Sequence, residues 1–302
     1  MRPSLQSDVE PARQPSAGLQ SATRLGFGTA LVSGAYTGRE TLALLETAYE
    51  SGIRHFDTAP LYGWGRGEEA LGEFAAGKGD GLTIFTKAGL VPPSCLQRAA
   101  GRLSGMAAPT HRAHFAPRQI RRSVETSLRK LKRERLDGLL LHEPTPEDVR
   151  EELVRLLEDM KRSGKIAAVG LAAAPKSTMA LLTRYPGAFQ IVQTPVASAG
   201  KLGALPPGIT TIVHSVLGSR LEHGVTRAQT NPDGIRQFEA DTGVSPADRP
   251  GMARLLLRAA LARNPDGVTL FSSSRVENVR RNAFLTPLDA ETAAHVATLL
   301  GE

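Results

Sequence analysis

Eight short apolar runs recur along this chain, separated by stretches whose apolar residues fall at helical spacing. The runs cover residues 24–28, 54–57, 82–87, 136–142, 167–171, 189–193, 210–214 and 268–272, and each reads as a strand. Helical patterns fill most of the gaps, at 39–51, 120–131, 147–163, 176–184 and 252–263. A strand that rejoins its sheet in parallel needs a crossover, and eight such beats close most naturally into a barrel. The expected fold class is therefore α/β, a (β/α)8 TIM barrel, and 302 residues suit one such domain.

Two places break the rhythm. Between Thr194 and Ile209 the stretch PVASAGKLGALPPG is rich in Gly, Pro and Ala, so the sixth helix is expected to be short or degenerate. Residues 91–117 lengthen the loop after the third strand and carry His111, His114 and Phe115. Loops that follow strands open on the catalytic face of a barrel, which makes this insertion a candidate for shaping a substrate pocket, beside the reading of a plain surface loop. Residues 1–16 are rich in Pro, Ser, Gln and Arg without periodicity and are expected to be a disordered leader, with the barrel occupying 17–302.

Charge and cysteine content narrow the function classes. The formal charge of +7 is scattered, and its densest part, RKLKRER at 129–135, falls on a helix whose Val124, Leu128 and Leu131 hold core spacing. A solvated helix face explains it better than a nucleic-acid site, and the excess also suits an anionic small molecule. Cys95 is the only cysteine, which excludes an intramolecular disulfide and points to a reducing, cytoplasmic setting. No run approaches the length of about 18 apolar residues that a membrane span needs. Nothing in the pattern specifies an oligomer.

Four proton-bearing or charged residues stand where apolar runs stop: Asp57 and Tyr62 in RHFDTAPLYG, Lys87 ending LTIFTK, and His142 ending LDGLLLH. A strand interior cannot solvate such groups, whereas strand ends can aim them into one cleft. Taken singly, Asp57 reads as a turn cap, Tyr62 as loop packing and His142 as a satisfied interior histidine; the four together point to catalysis. A phenol of pKa about 10 is a weak acid at neutrality, and an adjacent ammonium is expected to lower it toward the working range. Asp57 then supplies the counter-charge for Lys87, and His142 orients the substrate oxygen. The set holds no nucleophile, so it suits reduction of an aldehyde or ketone by a hydride that only a cofactor can deliver.

GIRHFDTAPLYGWGRGEEALGE, with LGFGTA, TIFTKAG, LLLHEP and GKIAAVGLA, resembles the aldo-keto reductase family. The resemblance runs from about Gly18 to Asn282 and implies a barrel that binds an extended nicotinamide cofactor, usually NADPH, without a Rossmann domain. By that resemblance Asp57, Tyr62, Lys87 and His142 fall on the family's catalytic tetrad. Gln193 falls on the glutamine beside the nicotinamide amide, while Ala172 and Ala173 replace the neighbouring polar pair. His214, Ser215 and Leu217 in IVHSVLG fall on the segment where many members stack an aromatic ring on the nicotinamide. Ser272, Ser273, Ser274 and Arg275 lead into a helix expected near Val276, where hydroxyls, free N–H groups and a guanidinium make an anion site. Asn282 matches the adenine-proximal asparagine, and Asn278 stands where many NADPH users carry a base, so NADPH is favoured over NADH chiefly through Arg275.

Two alternatives compete with a carbonyl reductase: a regulatory barrel that binds nicotinamide with little turnover, and a lyase or aldolase using Lys87 as a Schiff base. Phe27, Tyr36, Trp64 and the 91–117 loop are candidates to line an aromatic substrate pocket. GWGRGE has Glu68 at the third glycine of a dinucleotide fingerprint, and GEFAAGKG has Gly79 where a phosphate loop needs Ser or Thr; neither carries that chemistry. His111 and His114 lack a third ligand, and no metal is expected.

Overall fold

Strand Leu25–Gly28 pairs in parallel with His55–Asp57 on one side and with Val268–Phe271 on the other, and the second pairing closes the sheet on itself. The computed structural model describes residues 24–31, 38–92, 112–229 and 232–299. Around the barrel the remaining strands are Thr83–Ala88, Leu136–His142, Ile166–Ala172, Ile191–Pro195 and Thr210–His214, each parallel to its neighbours. The eight expected strands are all present. The strand expected at 189–193 runs from Ile191, although Gln190 already donates its N–H to Val169 O at 2.8 Å and accepts from the Thr210 N–H at 2.9 Å.

Phe85, Leu140, Ile191, Ile212, Val268 and Leu270 meet inside the barrel, while the outward side chains pack beneath the helices in a larger core. Interior space is tight enough that a Cβ on Gly26 would sit 2.7 Å from the His55 ring. The same device acts outside. A Cβ on Gly72 would meet the backbone of Lys130 at 2.1 Å, so glycine lets helix Arg66–Ala75 lie against helix Pro117–Leu131.

The expected helix at 147–163 begins only at Glu151, because Thr145 and Asp148 form a turn in which the Thr145 N–H and hydroxyl both donate to the Asp148 carboxylate at 2.9 Å. The degenerate sixth helix is a 3-10 stretch, Val196–Leu202. Helices Arg66–Ala75, Ser219–Gln229 and Pro232–Thr242 lie outside the set expected from periodicity. The insertion is pinned at its ends by a short antiparallel pairing of Leu90 with Ala113 and Val91 with Arg112, and Phe115 packs into the core rather than a pocket. Residues 93–111, with His111, lie outside the described residues, as do Tyr36 and the leader expected over 1–16. Among the described residues no helix is long and apolar enough to cross a membrane.

Candidate active site

Asp57, Lys87, His142, Gln193 and His214 stand at or near the carboxyl ends of their strands, and with Tyr62 they line one cavity of about 270 Å³. Parallel pairing delivers them there: each side chain leaves its strand at the same rim. Lys87 Nζ donates to Asp57 Oδ1 at 2.5 Å and to Thr58 O at 3.0 Å, and both charged side chains are at most 4% exposed. The other carboxylate oxygen, Oδ2, accepts from Gln193 Nε2 at 2.9 Å. Asp57 therefore ties together three strands, and Thr29 braces it by donating its N–H to Asp57 O at 2.9 Å.

Tyr62 reaches the cavity from the turn after the second strand. It opens a 3-10 turn, Tyr62–Gly65, in which Gly63, Trp64 and Gly65 all have positive φ, at 57°, 62° and 89°. Two of the three are glycines, the residues that adopt this region without a Cβ clash. Lys87 Nζ lies 5.0 Å from the centroid of the Tyr62 ring, and the His142 ring meets that ring edge-on at 6.4 Å. Acid, cation and imidazole thus face one space.

Burial pushes the Tyr62 phenol above its usual 10, and the Lys87 ammonium pulls downward without prevailing. This corrects the expectation of a phenol lowered into the working range: in the protein alone Tyr62 keeps its proton at neutral pH. Burial would lower Lys87, but Asp57 and Tyr62 outweigh it, and the ammonium ends above its usual value. A Schiff-base lysine needs the opposite, an amine readily deprotonated, which counts against the aldolase alternative. The His214 ring is lowered by burial, so it is neutral at pH 7; its Nδ1 lies 2.8 Å from Ser215 Oγ.

A second cavity of about 370 Å³ continues from the first, sharing Leu217 and Ser272 with it. Ser273, Arg275, Asn278 and Asn282 line it, from the turn before helix Val276–Ala283 and from the helix itself. Ser274 lines neither cavity; Ser273 instead shapes the turn, its Oγ accepting from the Arg275 N–H at 3.1 Å. Arg249 and Arg281 also line this cavity, and the Arg249 guanidinium is paired with the Glu222 carboxylate, Nη1 donating to Oε2 at 3.0 Å. Sequence reasoning missed both. Arg281 lies three residues after Asn278 on one helix, a signal that spacing could have supplied; Arg249 comes from a helix start, Asp248–Arg249–Pro250, that nothing in the sequence ties to this place.

Other expectations change. Phe27 is buried facing outward against Phe271, with ring centroids 5.6 Å apart, and lines no pocket. Trp64 is 44% exposed beside the Tyr62 turn. Gln193 donates one amide N–H to Asp57, which leaves Oε1 and a second N–H for a ligand. Ala172 lines the catalytic cavity and brings no polar group. Among the described residues no cluster of His, Cys, Asp and Glu could hold a metal.

Comparison with known proteins identifies the family and the fold. The model of the aldo/keto reductase family matches residues 24–197. A D-threo-aldose 1-dehydrogenase of a Pseudomonas species is 30% identical over 281 residues, spanning 86% of this chain and 82% of the relative. A 6-dehydroglucose reductase of Agrobacterium fabrum is 35% identical over 133 residues, 43% of this chain and 42% of the relative. Among solved structures, an aldo-keto reductase from Klebsiella pneumoniae in complex with NADPH superposes with a TM-score of 0.63 at 23% identity, covering 92% of this chain and 90% of the other. At that identity the likeness speaks for the fold.

Proposed function

Since the chain belongs to the aldo/keto reductase family, we propose that it reduces a small aldehyde or ketone to the alcohol, reversibly, with NADPH as hydride source and Tyr62 as proton donor. The observation that carries this reading is the buried Asp57–Lys87 pair set against the Tyr62 ring. The two joined cavities suit an elongated dinucleotide: an uncharged end beside His214, Ser215 and Gln193, and phosphate-bearing parts beside Arg249, Arg275 and Arg281. The Arg275 and Arg281 guanidiniums favour the extra phosphate of NADPH over NADH, while Arg249 is held by Glu222. The cofactor supplies the hydride.

The protein's own groups do the rest. The Tyr62 hydroxyl gives its proton to the carbonyl oxygen as that oxygen gains charge, and the Lys87 ammonium stabilises the phenolate left behind. Asp57 keeps the ammonium charged where water is scarce. His142, edge-on to Tyr62, hydrogen-bonds the same oxygen and fixes its direction. A reducing cytoplasm suits a chain with one cysteine.

The test is absorbance at the nicotinamide band over a small panel of carbonyl compounds, with NADPH and NADH compared. Steady oxidation supports the reading. Tight cofactor binding without turnover on any carbonyl would instead favour a regulatory barrel, for which the apolar Ala172 and Ala173 speak.

A further inference from the structure

We infer that Glu143 sets the charge preference of the catalytic pocket, so that the protein takes uncharged or cationic carbonyl compounds and turns away anionic ones. The inference rests on the carbonyl-reductase reading and adds the substrate class. Glu143 follows His142 and lines the same cavity as Asp57, Tyr62 and Lys87. Its backbone is in the left-handed region at φ 54°, which L side chains seldom adopt, and Pro144 follows it and narrows the choice further. The Glu143 N–H donates to Ala172 O at 2.8 Å, so the neighbouring strand end holds this conformation in place. Backbone strain kept by tertiary contacts at the rim of a site is a sign of function.

The charge balance gives that function a direction. Asp57 and Lys87 cancel as a bonded pair, and the His214 imidazole is neutral at pH 7. Glu143 is exposed, and none of the ion pairs found among the described residues involves it. Among the described residues no arginine lines this cavity, in contrast to the cofactor cleft, and Glu143 is the lining carboxylate that no lysine or arginine of the lining is bonded to. A carboxylate or phosphate on the substrate meets repulsion there, while an ammonium or a row of hydroxyl donors meets an acceptor.

The test uses three aldehydes of similar size: 4-carboxybenzaldehyde, its methyl ester, and the 4-trimethylammonium analogue, each with saturating NADPH. For the protein as it stands, kcat/KM should fall from cation to ester to carboxylate, with a gap of about tenfold between ester and carboxylate at low salt that narrows at high salt. Glu143→Gln should shrink the ester-to-carboxylate ratio of kcat/KM from about tenfold to below about threefold; Glu143→Asp, which keeps the charge, should preserve the order. Equal rates for ester and carboxylate, or the same gap in the Gln variant, would overturn the assignment. Failure of all three aldehydes would instead count against the reductase reading itself.

Discussion

Lys87 Nζ and Asp57 Oδ1 lie 2.5 Å apart with both side chains almost wholly removed from water. Such a pair tolerates joint replacement far better than the loss of one member, because a lone buried charge has no solvent to relax it. Asp57→Asn or Lys87→Met alone should destabilise the fold by about 3–5 kcal/mol in urea unfolding, and Asp57→Asn combined with Lys87→Met should recover more than half of it. Additive losses in the double variant would mean that the two groups do not act as a unit.

Removing the Tyr62 hydroxyl leaves the ring that Lys87 and His142 face. Tyr62→Phe should lower kcat by a factor of about 10² to 10⁴ while NADPH affinity stays within about twofold. Single-turnover rates and cofactor titration separate the two effects. A Phe variant that reduces aldehydes at the native rate would place the proton donor elsewhere.

His55 lies two residues before Asp57 on the same strand, wholly buried, with neither ring nitrogen bonded, and burial lowers its pKa from 6.5 to about 4. A base held neutral in the fold contributes stability above its unfolded pKa, and that contribution is lost as pH falls from 6.5 toward 4. The gap corresponds to about 3 kcal/mol. His55→Leu should therefore flatten the loss of stability between pH 7 and pH 4.5, as read from urea midpoints at each pH. An unchanged slope would assign acid sensitivity to other groups.

Arg275 and Arg281 line the cleft joined to the catalytic cavity. Either one changed to Ala should weaken NADPH by about tenfold and NADH by less than about threefold, since a charge-assisted contact to the extra phosphate exists in one cofactor alone. Thermal shift and fluorescence titration both report this. Matching losses for the two cofactors would remove the phosphate role.

The barrel was legible because its strands are short, apolar and punctuated: LDGLLLH and TTIVH match their strands residue for residue. The convergence of Asp57, Lys87 and His142 on one rim was legible for the same reason, each at or beside the end of its strand, while Tyr62 follows in the next turn. Legibility failed where tertiary contact decides. Helix Ser219–Gln229 has few buried positions, so no stripe announces it. Phe27 reads as a pocket residue until strand alternation turns it outward against Phe271. Gln193 aligns with a cofactor ligand, yet only the fold shows Asp57 within 2.9 Å of its amide. The direction of the Tyr62 shift depends on burial, a quantity that neighbours in sequence do not reveal.

The last strand seals the cylinder against the first, and Ser272 Oγ donates to Gly28 O at 2.7 Å across 244 positions of chain. A growing polypeptide emerging from the ribosome thus carries its proton-handling residues long before the seam can shut. Until Val268–Phe271 arrives, strand Leu25–Gly28 presents an open edge to any passing chain. The reaction chamber cannot close before Val268–Phe271 has joined strand Leu25–Gly28.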